Sequence, residues 1–285
     1  MSAPDYTDWI DRTETRSDLI SPFPARALAA LAQAPKVPEE GGDLPPGWQW
    51  LYFLDTPSPE QTGPDGHPRR GGFLPPIALE RRMWAAGGFE IIRPLTIGEP
   101  AERTSRIVSI TSKSGASGEM IFVVLEHLIH QAGELRLRED QTLVYRAMPI
   151  GPTEIQPPAA PPPGDWSASA PTDPATLFRF SALTYNGHRI HYDAAYARDV
   201  EHYPALVVHG PFLATLLLNL VAHNRPDASV RRFEFRAVSP IFSGDELKLH
   251  GSAAAEGAEL WACSDRGLGM RASVSFRDGG ENADA

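Results

Sequence analysis

Residues 212–222 constrain the fold of this chain more than any other stretch, because they are apolar on nearly every face. Only Thr215 and Asn219 interrupt them, and the preceding Gly210-Pro211 is typical of a helix start. A helix that is apolar all round must be covered on all sides. At about fifteen residues it is too short to cross a bilayer, which needs roughly twenty. The sequence therefore predicts a buried helix inside a globular domain.

Apolar and alternating runs predict antiparallel strands on both sides of this helix. In the first half these are residues 88–94, 103–112, 119–131 and 134–146, with a further β-prone run at 48–54. In the second half they lie near 176–183, 229–238, 245–255, 258–264 and 269–277. Residues 22–34 contain good helix formers at helical spacing and predict a helix ahead of the first strands.

The two halves look like degenerate copies of one unit. Residues 93–99 (RPLTIGE) and 239–245 (SPIFSGD) both end a strand at proline and start the next strand with a Gly-acid turn. The Pro-rich stretch 149–171 is typical of an extended linker. We therefore predict a first unit over 1–148, a linker over 149–171 and a second unit over 172–285.

Charge and cysteine content narrow the class of protein. The formal net charge of −10 argues against a nucleic-acid partner and against binding to anionic membranes. The single cysteine, Cys263, cannot form an intrachain disulfide and is typical of a reducing cytoplasm. We expect a cytoplasmic protein without a membrane segment.

A polar, titratable cluster precedes the buried helix. Residues 185–193 read Tyr-Asn-Gly-His-Arg-Ile-His-Tyr-Asp, and His209 stands directly before Gly210. His191 is the first candidate for acid/base catalysis, because the ordinary pKa of histidine is close to neutral pH. A structural histidine on a loop is the alternative. The Gly210 amide, at the start of a buried helix, is a candidate oxyanion donor, and it is equally compatible with a simple helix cap.

Other chemistries find little support in the sequence. His188, His191, His209 and Asp193 lack the HExxH pattern of catalytic zinc sites, and the chain has no cysteine pair. No G-x-S-x-G motif and no Gly-rich phosphate loop is present. We therefore expect no metal and no nucleotide.

Residues 186–193, Asn-Gly-His-Arg-Ile-His-Tyr-Asp, followed by His209-Gly210, resemble the signature of the MaoC-like hydratase/dehydratase family. The resemblance extends to the hydroxyacyl-thioester dehydratase type 2 group and to mesaconyl-C4-CoA (3-methylfumaryl-CoA) and itaconyl-CoA hydratases. It implies an α+β double hot-dog fold, with two central helices each wrapped by an antiparallel sheet and the sheets joined. It also implies a hydro-lyase that adds water reversibly to an α,β-unsaturated acyl-CoA, with coenzyme A as part of the substrate and no other cofactor. The implied substrate is a short branched dicarboxylic mono-CoA ester.

The same resemblance implies roles for individual residues. His191 would activate water, Asn186 would position it, and Gly210 would hold the thioester oxygen. Better-known members have aspartate where this chain has Asn186, and an amide exchanges no proton at neutral pH; a turn residue before Gly187 is the alternative role. Substrate or CoA contacts are expected from Tyr185, His188, Arg189, His209, Arg81, Arg82, Met83 and Trp84. Arg189 is expected to bind the distal carboxylate, because the guanidinium fork suits carboxylates.

Three alternatives stay open from the sequence. One is an (R)-3-hydroxyacyl-thioester dehydratase of fatty acyl metabolism. The second is a non-catalytic acyl-CoA binder, which Asn186 makes plausible, and the third is a thioesterase, since one fold hosts several chemistries. Because two hot dogs in one chain replace the usual homodimer, a monomer and a homodimer of such units are both expected.

Overall fold

The computed structural model describes residues 5–115, 118–152 and 154–277. Its strands are β1 (Thr13–Leu19), β2 (Arg81–Ile91), β3 (Pro100–Gly115), β4 (Gly118–Gln131), β5 (Glu134–Arg146), β6 (Trp166–Ser169), β7 (Val230–Ala237), β8 (Lys248–Ala254), β9 (Gly257–Ser264) and β10 (Gly267–Phe276). Its α-helices are α1 (Pro22–Leu31), α2 (Pro174–Leu183), α3 (Ala194–Asp199) and α4 (Gly210–Asn224). None of these described helices is long and apolar enough to cross a membrane.

All these strands lie in a single antiparallel sheet with an internal symmetry. The order across the sheet is β1-β3-β4-β5-β2-β7-β10-β9-β8-β6. The first half thus runs β1-β3-β4-β5-β2 towards the middle, and the second half repeats it from the other edge as β6-β8-β9-β10-β7. The predicted arrangement of two joined antiparallel sheets is confirmed.

Strands β2 and β7 join the two halves. Their pairing runs from Ala86 opposite Arg236 to Glu90 opposite Arg232. At Gly88 the backbones approach so closely that a Cβ atom would lie 2.7 Å from the carbonyl oxygen of Phe233. Glycine is therefore required at this point of the join, and one hydrophobic core runs through both halves.

Helix α4 is buried as predicted. Every residue from Phe212 to Val221 is inaccessible to solvent or nearly so. The two polar residues in it are satisfied, because Thr215 Oγ1 donates to the Pro211 carbonyl at 2.9 Å and Asn219 Nδ2 donates to the Ala32 carbonyl at 3.1 Å. The second hydrogen bond ties α4 to the end of α1.

The internal repeat extends to the loops that lead into the centre. Isolated β-bridges pair Asp43 with Thr96 in the first half and Val207 with Phe242 in the second. The following turn glycines, Gly98 and Gly244, have φ of 95° and 94°. This correspondence places residues 45–47, Pro-Pro-Gly, where the second half has 209–211, His-Gly-Pro. In the first half the chain then forms only a short 3-10 helix, Trp48–Leu51, where the second half has α4.

Three strand predictions differ from the structure. The run at 48–54 is not a strand, because buried aromatic packing on the core outweighs its β propensity and holds Trp48 and Leu51 in the 3-10 turn. Residues 176–183 belong to helix α2, whose N-cap Asp173 accepts from the amides of Ala175 and Thr176 at 3.0 and 3.1 Å. Strand β2 starts at Arg81 rather than at 88, since its first residues pair with the end of β5.

The predicted domain division remains a prediction. Within the proposed linker, residues 166–169 form the edge strand β6, which pairs with β8. The ordered part of the second half therefore begins before residue 172.

Candidate active site

A cavity of about 1990 Å³ opens between the two halves at the start of α4. Its wall includes β2 from the first half and the signature loop 185–193 from the second half. Of the residues predicted for the site, these line it: Tyr185, Asn186, His188, His191, His209, Gly210, Arg81, Arg82, Met83 and Trp84. Arg189 is the exception.

His191 is buried with one nitrogen committed to the backbone. It ends a 3-10 turn, Arg189–His191, and its Nδ1 lies 2.7 Å from the Val207 carbonyl oxygen. Because a carbonyl only accepts, Nδ1 carries the hydrogen and Nε2 keeps its lone pair. Burial, with a smaller effect of His188, lowers the pKa of His191 to about 3, so the ring is neutral. The side chain is thus a preformed base at Nε2.

His209 supports His191 from one side. The two rings stack with their centroids 3.7 Å apart, and His209 Nε2 lies 2.8 Å from Ser181 Oγ. Burial lowers the pKa of His209 well below its usual value. Its Nδ1 has no hydrogen-bond partner in the part of the chain described. His209 therefore packs beneath the catalytic candidate and caps α4.

The Gly210 amide lies at the first position of α4, where no carbonyl of the preceding turn exists to accept from it. A Cβ atom at this position would contact Trp84 O at 3.9 Å and Met270 Cε at 4.0 Å. Glycine keeps this end of the cavity open. The amide is therefore suited to an oxygen atom that gains negative charge.

Asn186 holds the loop together. Its Oδ1 accepts from the His188 amide at 3.0 Å, and its own amide donates to the Ser181 carbonyl at 2.8 Å. This is the turn role that the Asn-Gly pair also predicts. One lone pair of Oδ1 is thus occupied, and the Nδ2 hydrogens of Asn186 face no acceptor among the described residues. The preceding Tyr185 is more than half exposed at the rim.

Arg189 is not among the residues that line the cavity, so its expected contact with a substrate carboxylate stays a prediction that the geometry does not support. Its guanidinium binds Asp193 Oδ2 at 2.8 and 3.1 Å, donates to the Pro64 carbonyl at 3.1 Å and stacks over Tyr196. Asp193 in turn caps α3 through the Tyr196 amide. The side chain of Arg189 is held in a structural role outside the cavity.

Arg81 is also occupied, although it borders the cavity. Its Nε donates to Glu201 Oε2 at 3.1 Å, and its guanidinium stacks over Tyr203. The other carboxylate oxygen of Glu201 lies 3.0 Å from His188 Nε2. The buried Glu201 thus orients His188 and neutralises Arg81.

The other predicted residues of β2 form one wall. Trp84 packs against Trp50 and Phe235, with ring centroids 5.3 and 5.6 Å away, and its Nε1 donates to the Ala86 carbonyl. Met83 also lines the cavity. Arg82 pairs across the sheet with Tyr145 and has no ion-pair partner among the described residues. It is the cation of this wall that is left for a ligand.

The cavity region also contains an acid/histidine pair, Asp65 and His67, that is not among the residues predicted from the sequence. His67 lines the cavity, and its Nδ1 lies 3.0 Å from Asp65 Oδ2. The His67 ring lies 4.1 Å from that of His188, which is 5.5 Å from that of His191. No local pattern marks this pair, because it reaches the site through contacts between distant parts of the chain.

Asp65, His67 and His188 also form the one group in the described ranges that has the spacing of metal ligands, with candidate atoms within 4.8 Å of one another. The Arg82 guanidinium is near enough to lower the pKa of His67, after the larger effect of burial. That positive charge opposes a second cation at this place.

The fold and the site together define a hot-dog-type acyl-thioester hydratase or dehydratase: a buried helix presents its first amide beside a neutral histidine. A family model described as hydroxyacyl-thioester dehydratase type 2 matches residues 47–243. The chain belongs to this family.

Individual relatives agree with this assignment. A mesaconyl-C(4)-CoA hydratase of Chloroflexus aurantiacus is 44% identical over 252 residues, which cover 87% of this chain and 89% of that protein. A mitochondrial hydroxyacyl-thioester dehydratase type 2 of Schizosaccharomyces pombe is 30% identical over 245 residues, 76% of this chain and 80% of the relative. A Mycobacterium tuberculosis protein described as a double hot-dog fold superposes with a TM-score of 0.54 at 16% identity, covering 96% of this chain and 98% of that one. The expected double hot-dog fold is thereby confirmed.

Proposed function

We propose that the protein is a hydro-lyase that adds water reversibly to the double bond of an α,β-unsaturated acyl-CoA thioester. The observation that carries this proposal is the neutral His191, whose Nδ1 is fixed by the Val207 carbonyl and whose Nε2 is a free base beside the first amide of α4. Base and oxyanion donor are the two groups that conjugate addition of water requires.

The reaction uses these groups in sequence. His191 Nε2 accepts one proton of the water while the water oxygen bonds to the β-carbon. The electrons of the double bond move towards the thioester, and its oxygen, now enolate-like, accepts a hydrogen bond from the Gly210 amide. The imidazolium then returns its proton to the α-carbon. Neither a metal nor a redox cofactor enters these steps.

The substrate that we propose is a short branched dicarboxylic mono-CoA thioester, mesaconyl-C4-CoA or itaconyl-CoA. The similarity to a mesaconyl-C(4)-CoA hydratase supports this class. Arg82 supplies the charge for the distal carboxylate. It lies on the same face of β2 as Trp84, about 7 Å along the strand, and the Trp84 carbonyl borders the Gly210 end of the cavity. An arginine at this distance reaches a carboxylate a few bonds from the thioester.

The test is turnover of mesaconyl-C4-CoA, itaconyl-CoA and crotonyl-CoA, followed by absorbance and by mass spectrometry. We expect gain of one water on a dicarboxylic thioester and its loss in His191→Ala. Arg82→Ala should lower kcat/KM on the dicarboxylic substrate at least tenfold more than on crotonyl-CoA. Turnover that survives His191→Ala, or release of free CoA thiol instead of hydration, would contradict the proposal.

A second candidate is a 3-hydroxyacyl-thioester dehydratase of fatty acyl chains. The size of the cavity favours it, because the first half has no long helix at its centre and the cavity continues beneath β3–β5, past Leu125 and Leu143. A series of enoyl-CoA substrates from four to twelve carbons separates the candidates. A kcat/KM that rises with chain length, with no effect of Arg82→Ala, would favour the fatty acyl enzyme.

We further propose that the enzyme acts in a reducing, cytoplasmic compartment as a monomer or a homodimer. The single buried Cys263 and the paired hot-dog units in one chain support these statements. Light scattering after size-exclusion chromatography measures the oligomeric state directly.

A further inference from the structure

Asp65 and His67 form a catalytic-type pair that the mechanism above does not use. His67 Nδ1 lies 3.0 Å from Asp65 Oδ2, and the His67 backbone amide donates to the other oxygen of the same carboxylate at 3.1 Å. His67 borders the cavity that contains His191. The ring of His188 is a common neighbour, with its centroid 4.1 Å from that of His67 and 5.5 Å from that of His191.

The segment that carries this pair is fixed to the signature loop. Its turn is closed by the Gly66 amide, which donates to the Gly63 carbonyl at 3.0 Å. The Arg189 amide donates to the Asp65 carbonyl at 2.9 Å, and the Arg189 guanidinium donates to Pro64. Gly66, with φ of 89°, lies so close to Gly187 that any side chain would collide with its carbonyl. The first half of the chain thus supplies a fixed imidazole to the site of the second half.

Hydrogen-bond roles define what this imidazole offers. Because the Asp65 carboxylate only accepts, Nδ1 of His67 carries the hydrogen and Nε2 is an acceptor. Burial and the charge of Arg82 both lower the pKa of His67, so the ring is neutral in the free protein. His67 therefore repeats the arrangement of His191: an oxygen fixes Nδ1, Nε2 keeps its lone pair, and the residue lines the cavity.

The attacking water needs a hydrogen-bond acceptor besides His191. A water molecule that attacks with a lone pair needs acceptors for both of its hydrogens. His191 Nε2 accepts one. Asn186 Oδ1 already accepts from the His188 amide, which leaves it one lone pair, and its Nδ2 is a donor that would bind the lone pair of the water instead.

We propose that His67, oriented by Asp65, is the second acceptor for the nucleophilic water, since its Nε2 is a stronger acceptor than the Asn186 oxygen, which already accepts from the His188 amide. This inference rests on the proposed hydratase function. One hydrogen of the water passes to His191 and then to the α-carbon. The other stays on the oxygen, hydrogen-bonded to His67 Nε2, and becomes the hydrogen of the product hydroxyl. No net proton is gained or lost by the protein.

The first test is His67→Ala in the full-length protein, assayed on the best substrate of the wild type. We expect kcat to fall about 100-fold with KM changed less than threefold, because positioning of the reacting water is lost while the thioester still binds. His130→Ala, on β4 outside the cavity wall, is the matched control and should retain wild-type kinetics. A kcat for His67→Ala within twofold of wild type, or a loss confined to KM, would overturn the inference.

The second test separates catalysis from loop structure. Asn186→Asp in the His67→Ala background places a carboxylate acceptor back on the signature loop, and aspartate can still accept from the His188 amide. We expect the double variant to regain at least tenfold in kcat over His67→Ala. A double variant no faster than the single one would overturn the inference, since a loop defect would not respond to a carboxylate at position 186.

The outcomes also separate this inference from the proposed function. Wild-type protein that hydrates no enoyl thioester would refute both. An active wild type, an inactive His191→Ala and an active His67→Ala would refute only the role of His67. Activity should be unchanged after treatment with a chelator; loss on chelation and recovery with a divalent metal would show that Asp65, His67 and His188 bind an ion instead.

Discussion

His127 and His191 are buried as neutral imidazoles in the two halves of the molecule. Burial is the main reason that the pKa of each falls to about 3, with smaller contributions from Arg103 and His188 respectively. Hydrogen bonds compensate the buried rings: His127 Nδ1 to Ser105 Oγ at 2.7 Å, and His191 Nδ1 to the Val207 carbonyl. Each ring resists protonation only while the chain is folded.

This difference predicts acid sensitivity. In the unfolded chain both pKa values return to about 6.5, so between pH 6.5 and 3 the unfolded state binds more protons. The contribution of these two neutral rings to the free energy of unfolding is therefore complete above pH 6.5 and is lost as the pH falls towards 3. At pH 5 each histidine should lower the free energy of unfolding by about 2 kcal/mol. Urea unfolding at pH 7.5 and pH 5 measures this difference in the free energy of unfolding.

A variant isolates the effect of one ring. His127→Gln should reduce the difference in unfolding free energy between the two pH values by about 2 kcal/mol. An unchanged pH dependence in His127→Gln would mean that His127 is protonated in the folded protein.

At the scale of elements, Arg189 links the signature loop to the turn at 63–66. Its side chain contacts Asp193 and Pro64, and no part of it lines the cavity. Arg189→Ala should therefore lower kcat by a similar factor, about three- to tenfold, on dicarboxylic and on crotonyl thioesters, because it loosens the segment that carries His67. The ratio of kcat/KM values on the two substrates measures this. A loss restricted to the dicarboxylic substrate would show that Arg189 binds the distal carboxylate of the substrate.

The elements show what could be predicted from sequence. Helix α4 was predictable because an apolar stretch without a polar face has only one solution, burial on all sides. The prediction of a strand at 176–183 was wrong, although Asp173-Pro174 is a recognisable helix start. A short apolar run fits a buried strand as well as a helix. The 3-10 turn at Trp48–Leu51 depends on packing against the other half, which no local pattern records.

The same distinction holds for the site. His191 and Gly210 belong to the signature by which the chain resembles its family, so the resemblance implies that they lie in one site. The pair Asp65 and His67 comes from a Pro- and Gly-rich loop of the first half, and its position depends on backbone contacts with Gly187 and Arg189. Long-range contacts of this kind leave no periodic signal in a single sequence.

At the scale of the whole molecule, stability should be shared by both halves. The β2–β7 join continues the sheet, and the core on one side of it runs through both halves. Gly88→Val places a branched side chain against Phe233 O at the join, and we expect a loss of about 1–3 kcal/mol or more. The loss should appear in one cooperative transition, seen alike by far- and near-ultraviolet circular dichroism. Two separate transitions in the wild type would show that the halves fold independently.

Pro45 and Pro46 bear on the number of active sites in one chain. They stand where the second half has His209 and Gly210, and a proline nitrogen carries no hydrogen to offer an oxyanion. We therefore expect one active site per chain, and a tight-binding product analogue should saturate the protein at one equivalent per polypeptide. In a homodimer of identical units, every substitution is present in both units. In this chain only the second half must keep the catalytic groups, so the first half can carry a 3-10 turn and aromatic residues in place of the helix and supply one wall of the cavity.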